Sequence, residues 1–434
     1  MNNIQKVSDV LMCSNCGACK AICPKNAITF QSTSIGRMYA FVNDNCIDCG
    51  LCTKVCPSLD DTLHKTFADK YIGNISKVYI GKATDQRIFD NSQSGGVCTA
   101  ILTYLLSTQK IDAAIVCKMT EGNTPIIRST IVTRTEDLYN SQKSCYTPVD
   151  MLSIIKETSQ YKSIAIVGLP CHIQGAEKLI KTVSKFSNIK YKIGLICDRT
   201  LCSTIQNVMV SYCTDGNAKI EWRKKNFSRN GVFYSYKAAP VMVSYGKDKE
   251  YILPNIYRFA LKEMFTAPRC RVCYDKLNTF ADIVIGDPWG MTGVDWKKGM
   301  SVVITRNDIG NELISQLQAT QYAVLIKANA QELIKGQHID QRKSSVSTWS
   351  EAINMLPQPI NSYLFKQKDV PTLQPSEIEK ARRTLQQFIE TEKLTQAEIV
   401  QQAREKVKTA IQRSKIRRWL PSNILRIIKS VIKS

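Results

Sequence analysis

The sequence predicts a small α+β module, then an α/β body with a largely parallel sheet, then a helical C-terminal extension. Three observations predict it. A cysteine-rich run is duplicated within the first sixty residues, short apolar segments alternate with helical stretches from about Ile75, and a polar Lys/Arg/Glu/Gln-rich stretch follows a proline-punctuated segment. The expected boundaries are 1–62 for the module, 75–160 and 161–330 for two parts of the body, 331–376 for a Pro-containing linker and 377–434 for a basic helical tail.

A chain of 434 residues is long enough for two or three domains with sizeable cores. Hydrophobic content of 44% with 22% charged residues is ordinary for a soluble globular protein. No uninterrupted apolar run approaches a bilayer span, and Met1–Met12 lack the charged and apolar regions of a secretory signal. The expected location is therefore the cytoplasm. There a disulfide framework is not expected for the seventeen cysteines, because thiols are kept reduced. Metal binding is the alternative, and spacing decides it. The formal charge of +22 would suit nucleic acid, an anionic membrane or an acidic protein. No nucleic-acid-binding signature accompanies it, and residues 413–434 alone hold seven Lys or Arg and no acid, so no nucleic-acid partner is expected.

Within the module, Cys13, Cys16, Cys19 and Cys23 precede Pro24, and Cys46, Cys49, Cys52 and Cys56 precede Pro57, at a constant offset of 33 residues. Gly17-Ala18-Cys19 matches Gly50-Leu51-Cys52. Three closely spaced thiolates on a tight turn suit one cube, taken corner by corner, and the fourth, before proline, reaches the cube of the other repeat. Cys13, Cys16, Cys19 and Cys56 are thus assigned to one [4Fe–4S] cluster, and Cys46, Cys49, Cys52 and Cys23 to a second. Paired zinc knuckles are the bland alternative, but zinc favours C-x2-C pairs over this duplicated run. Ile28-Thr29-Phe30 reads as a short strand after the first repeat, as in a small two-cluster ferredoxin. His64 reads as a solvated side chain.

In the body, Val78–Ile80, Ala113–Val116, Ile164–Val167, Ile193–Ile196 and Ile283–Ile285 read as buried strands. Helices at Val97–Leu106 and Ile173–Val183 alternate with them, which implies a largely parallel sheet with ligands at the carboxyl ends of its strands. Ser94-Gly95-Gly96 ahead of an apolar helix is either a phosphate cradle or only a capped turn. Cys171 in a strand-to-helix turn, Cys197 after the next strand, and Cys270 with Cys273 in a C-x2-C loop could converge on a third cluster. Equally, Cys171 and Cys197 could be buried thiols. Cys98, Cys117, Cys145, Cys202 and Cys213 show no ligand spacing and read as core packing. His172 is a candidate proton donor, or a helix-start residue making a structural hydrogen bond.

These blocks resemble the family of beta subunits of coenzyme F-420 hydrogenases and dehydrogenases, from Cys13 to about Arg306. The resemblance rests on the doubled cysteine run, Ser94-Gly95-Gly96, Gly168-Leu169-Pro170-Cys171-His172-Ile173-Gln174-Gly175, and Cys270-x2-Cys273 ahead of Ile285-Gly286-Asp287-Pro288-Trp289-Gly290. It implies bound FAD, with Ser94, Gly95, Gly96, Thr99, Lys143, Tyr146 and Gln174 on the cofactor side. It also favours the third [4Fe–4S] cluster at Cys171, Cys197, Cys270 and Cys273. Where relatives carry cysteine–histidine after the fourth strand, this chain has Cys197-Asp198-Arg199. The compact two-cluster N-terminus is similar to bacterial proteins associated with surface-polysaccharide synthesis.

Ser376 with Glu379 reads as a capping box opening a long polar helix over 377–418. After Pro421, Ile424, Leu425, Ile427, Ile428, Val431 and Ile432 line one face. Residues 415–434 then fit either a peripheral helix on the anionic inner face of a membrane or one docked on protein. The expected activity is an iron–sulfur flavin oxidoreductase that passes electrons from a ferredoxin-like donor to FAD and a small organic substrate. The alternatives are a deazaflavin-linked hydrogenase or dehydrogenase beta subunit, and a non-catalytic electron relay.

Overall fold

The computed structural model describes residues 2–59, 67–213, 217–245, 249–360 and 373–419. His64 and the amphipathic segment after Pro421 lie outside them. The N-terminal module holds α1 (Gln5–Asp9), α2 (Ala18–Ile22), β1 (Ile28–Ser32), β2 (Met38–Val42) and α3 (Leu51–Lys54). β1 and β2 form an antiparallel pair, so the strand expected at Ile28–Phe30 is present. α2 and α3 each carry the third cysteine of one run and follow Gly17 and Gly50, with φ of 89° and 75°. A Cβ at Gly17 would stand 2.6 Å from the backbone nitrogen of Ser153. Glycine is therefore required here by left-handed backbone and close packing on the body.

The body runs through β3 (Lys77–Ala83), α4 (Gln86–Asn91), α5 (Val97–Ser107), β4 (Ala113–Thr120), β5 (Ile126–Val132), β6 (Ile164–Gly168), α6 (Pro170–Thr182), β7 (Ile189–Leu195) and α7 (Thr204–Val210). A second lobe follows: β8 (Ala218–Glu221), β9 (Phe227–Arg229), β10 (Val232–Tyr234), β11 (Val241–Tyr245), β12 (Lys249–Leu253) and α8 (Ile256–Phe265). The chain then returns through α9 (Pro268–Arg271), β13 (Ile283–Gly286), β14 (Ser301–Thr305), α10 (Asp308–Ala319) and β15 (Ala323–Lys327).

Eight strands form the central sheet in the order β15-β3-β14-β13-β7-β6-β4-β5. The inner run β13-β7-β6-β4 is parallel throughout, and the flanking pairs are antiparallel. β3 shares the direction of the inner run, so the sheet is mostly parallel, as expected. Its period-2 alternation splits the core in two. Val78, Ile80, Ile115, Ile164, Ile166, Val302 and Ile304 face α6 and, beyond it, the module's Ala18 and Ala21. Tyr79, Ala114, Val116, Ala165, Val167 and Val303 face α5 and α10. The second lobe packs its three-stranded antiparallel sheet β12-β11-β8 on α7 and α8 around Trp222 and Phe265.

The stretch expected as a linker carries two helices, α11 (Ala330–Gly336) and α12 (Ile339–Asn354). Ile339, Val346, Ala352 and Ile353 are buried on α12, an apolar face that the prolines farther along had obscured. The expected single polar helix is two, α13 (Pro375–Thr391) and α14 (Gln396–Trp419). The capping box belongs to the second: Thr395 Oγ1 and backbone N–H donate to Glu398 at 2.7 and 2.8 Å, and the Glu398 N–H returns to Thr395. Glu379 instead accepts from Arg382 and Arg383. α12 and α13 lie on the module, where Ala381 and Leu385 join Ile4, Val7 and Met12 in one cluster. α14 packs Ile399, Ala403 and Val407 into the second lobe.

A two-pronged ion pair pins this clasp. Arg37 Nε and Nη2 donate to Glu392 at 2.7 and 3.2 Å, and the Thr33 hydroxyl donates to the same carboxylate. Both charged side chains are largely buried, at 10% and 13% exposure. Glu392→Ala is expected to destabilise the fold by about 2–4 kcal/mol by stranding Arg37, read as a lower urea midpoint.

Candidate functional site

Four strand ends of the parallel run open into one cavity of about 760 Å³, in the range of cofactor sites. Cys117 on β4, Gly168 and Leu169 after β6, Cys197 after β7, and Asp287 after β13 all line it. Ser94, Gly96 and Thr99 line it from the start of α5, Lys143 and Tyr146 from an adjoining turn, and His172 from the first turn of α6. The structure thus gathers most residues expected on the cofactor side. Gly95 lies behind the wall, where its N–H donates to Ser301 and a Cβ would meet the carbonyl of Gly81 at 2.4 Å. Gln174 is a correction, because the helical period turns it away from the cavity. It donates to Tyr274 at 3.0 Å and Asp275 at 2.7 Å, holding the loop after Cys273.

His172 makes the structural bond: its Nδ1 accepts from the Leu169 N–H at 3.2 Å at the start of α6. Burial pushes its pKa down to about 4, so it is neutral at pH 7. Lys143 pairs with Glu221. Burial, with Lys224 and Lys219 nearby, pushes its amine down to about 7, while the Glu221 carboxylate in direct contact favours the charged form. Tyr146 accepts from Gln93 at 3.1 Å and packs edge-on against Trp222.

Much of the cavity chemistry comes from residues with no motif around them. Arg223, Lys237 and Arg258 reach it from the second lobe, and Arg199, Lys262, Lys276 and Arg342 line the end near Cys197. Among the described lining residues the carboxylates are Asp198 and Asp287, while Glu221 and Glu263, outside the lining, pair with Lys143 and Arg199. Burial works to raise the Asp198 carboxyl, but Arg199, Lys262 and Lys276 outweigh it and hold it well below the usual range. Arg223 pairs with Asp287 and lies over the rings of Tyr236 and Trp289. Its Nη2, and Nε of Arg258, are buried without a hydrogen-bond partner among the described residues. Orphaned guanidinium donors in a cationic chamber fit an anionic, phosphate-bearing ligand. The basic run Arg223-Lys224-Lys225 was the available sequence signal.

Twelve of the seventeen cysteines fall into three sets. Burial pushes Cys19 well above its ordinary range, and Cys16, Cys13, Cys56 and Cys52 add to it. Cys56 is pushed up to about 12 by burial, with Cys16 and Cys13 contributing. The proline-tagged Cys56 has therefore crossed to the first repeat. In the other direction, Cys23, Cys46, Cys49 and Cys52 line one small cavity. Cys171 is raised by burial and by Cys16, Cys197, Cys273 and Cys270, so the third set converges too. Backbone N–H groups of Ala27, Asp48 and Ser58 donate to Cys23, Cys46 and Cys56 at 3.3, 3.4 and 3.4 Å, and Thr200 donates to Cys270 at 3.5 Å. N–H donation to sulfur suits thiolate ligands of a cluster. Among the described residues no three His, Cys, Asp or Glu side chains close on a single metal ion.

Family models described as the N-terminal and C-terminal parts of the coenzyme F-420 hydrogenase/dehydrogenase beta subunit match residues 78–156 and 161–331. The chain belongs to this family. A 4Fe-4S dicluster model matches residues 12–59, so the N-terminal module of this family member is a dicluster domain. The chain is 27% identical over 71% of its length to a coenzyme F420-dependent sulfite reductase of Methanocaldococcus jannaschii, of which it spans 46%. It is 27% identical over 72% of its length to one of the subunits of the F(420)H(2) dehydrogenase of Methanosarcina mazei, covering 85% of that protein. One chain of the F420-reducing [NiFe] hydrogenase complex of Methanosarcina barkeri shares the fold, with a TM-score of 0.53 and 19% identity over 67% of this chain and 96% of that one.

Arg223→Ala would leave Asp287 without its ion-pair partner, with only the Tyr236 hydroxyl still donating to it at 2.7 Å among the described contacts, and remove the cation over Tyr236 and Trp289. The expected cost is about 3 kcal/mol, measured as a fall in the denaturant midpoint, together with weaker retention of any anionic ligand in the cavity.

Proposed function

We propose that this chain is an iron–sulfur flavoprotein subunit that exchanges electrons with a deazaflavin of the coenzyme F-420 type. One observation carries the reading: the cysteine sets form a continuous path from the module to the cavity wall. Cys52 lies near Cys19, Cys16 near Cys171, and Cys197 both joins the third set and lines the cavity. A Cβ on Gly175 of α6 would stand 3.3 Å from Cys16 Sγ, so the module and α6 approach closely at this junction.

Cys13, Cys16, Cys19 and Cys56 would hold one [4Fe–4S] cluster, Cys23, Cys46, Cys49 and Cys52 a second, and Cys171, Cys197, Cys270 and Cys273 a third. FAD would occupy the cavity, with its phosphates toward the start of α5 and the cations of the second lobe. When bound, clusters supply one-electron transfer and a flavin couples it to two-electron chemistry. The chain's own residues bury the sulfurs, donate N–H groups to them and hold cationic donors in place. The names of the relatives support the deazaflavin-linked reading over a ferredoxin-fed enzyme acting on a small organic substrate, and give no support to surface-polysaccharide synthesis. Several of those names are of subunits, so partner proteins belong to the proposal. Among the described residues no helix is long and apolar enough to cross a membrane.

Iron, sulfide and flavin should be assayed on one anaerobic preparation. The expected result is about twelve irons per chain, four for each four-cysteine set, with FAD and transfer of reducing equivalents to added coenzyme F-420. Cys171→Ala should lower iron by about four while flavin stays bound. About eight irons without flavin in the unaltered chain would move the assignment to a non-catalytic relay.

A further inference from the structure

Three thiols outside the proposed cluster sets, expected as core packing, line the large cavity: Cys98, Cys117 and Cys145. Two of them are a pair. Sγ of Cys117 on β4 lies 3.9 Å from Sγ of Cys145, in the turn that also carries Lys143 and Tyr146. Both are partly exposed. We infer that Cys117 and Cys145 form a redox-active dithiol in the cavity wall that is oxidised reversibly to a disulfide by a small disulfide compound.

The geometry supports this in three ways. A disulfide needs an S–S distance of about 2 Å, so the sulfurs must close a gap of about 2 Å. The turn is also held in an uncommon conformation: Lys143 and Tyr146, on either side of Cys145, have φ of 79° and 58°. Such backbone strain in bulky residues collects at functional sites. The turn is fixed by the Ser144 N–H donating to Gln93 at 3.3 Å and by the Tyr146 carbonyl accepting from Leu201 at 2.8 Å. Finally, each sulfur bears on the ionisation of the other. The sulfur–sulfur hydrogen bond to Cys145 lowers the Cys117 pKa against the effect of burial and raises that of Cys145.

The chemistry balances as thiol–disulfide exchange. The Cys117 thiolate attacks one sulfur of the small disulfide, forming a mixed disulfide and releasing one thiolate. The Cys145 thiol, losing its proton, attacks Sγ of Cys117 and releases the second thiolate. Two protein thiols are oxidised by two electrons, the small disulfide is reduced to two thiols, and the two protons pass to them. None of this requires a flavin or a cluster, so the inference stands apart from the preceding reading.

The test uses the full chain with its native metal content under anaerobic conditions, equilibrated with glutathione and glutathione disulfide at a series of ratios. Free thiols are trapped with N-ethylmaleimide and unreduced digests are mapped by mass spectrometry. The expected result is concerted loss of most labelling at Cys117 and Cys145 and gain of the peptide linking them. The linked fraction should rise in proportion to glutathione disulfide over the square of glutathione. In Cys145→Ser, Cys117 should accumulate a glutathione mixed disulfide instead. Full labelling of both cysteines at the most oxidising ratio would overturn the inference, as would a link from Cys117 to Cys98.

Discussion

Sulfur has to be held in the dry interior without stranding its charge, and much of the architecture answers to that constraint. Burial alone raises Cys16, Cys19, Cys56, Cys171 and Cys197, and neighbouring thiols raise them further. A charged group in a low-dielectric interior must be compensated. The compensation here is local: N–H groups at turns, Thr200 beside Cys270, and Arg269 and Arg342 near Cys273. The Gly17 and Gly50 turns serve this need by reversing the chain tightly between the second and third cysteines of each run.

The sheet supplies a rigid frame in which the third set and the cavity share a wall. Parallel strands end in register, so the turns after β4, β6, β7 and β13 must gather at one edge. Cys197 sits where two demands meet, as a neighbour of Cys270 and as part of the cavity lining. The second lobe then encloses the open side with guanidinium and ammonium groups. That arrangement turns part of the +22 formal charge toward the cavity. Several of the cations face inward.

The C-terminal helices tie the parts together. α12 and α13 cover the module beside Cys19 and Cys52, and α14 enters the core of the second lobe. Arg342 of α12 also donates to the carbonyls of Cys273 and Cys270 at 2.8 and 3.2 Å. The extension therefore supports two cysteine sets at once, and its polar composition reflects a helix that buries only a narrow stripe.

The duplicated cysteine run, the buried strands and the helix starts at Val97 and Pro170 were legible because each is a local pattern of fixed spacing. Period-2 apolar runs and glycine turns are dictated within a few residues. The same locality explains the errors. Ser376 and Glu379 have the spacing of a capping box, yet Thr395 and Glu398 have the geometry of one, and prolines mark a linker where α12 buries a face. Gln174 shared a motif with cavity residues, yet the helical period aims it elsewhere. What only the tertiary structure decided is which distant groups meet: Cys56 with the first repeat, Arg223 and Arg258 with the strand ends, Cys117 with Cys145. Such contacts join segments far apart in sequence, and no spacing rule records them, because packing of the whole chain chooses the partner.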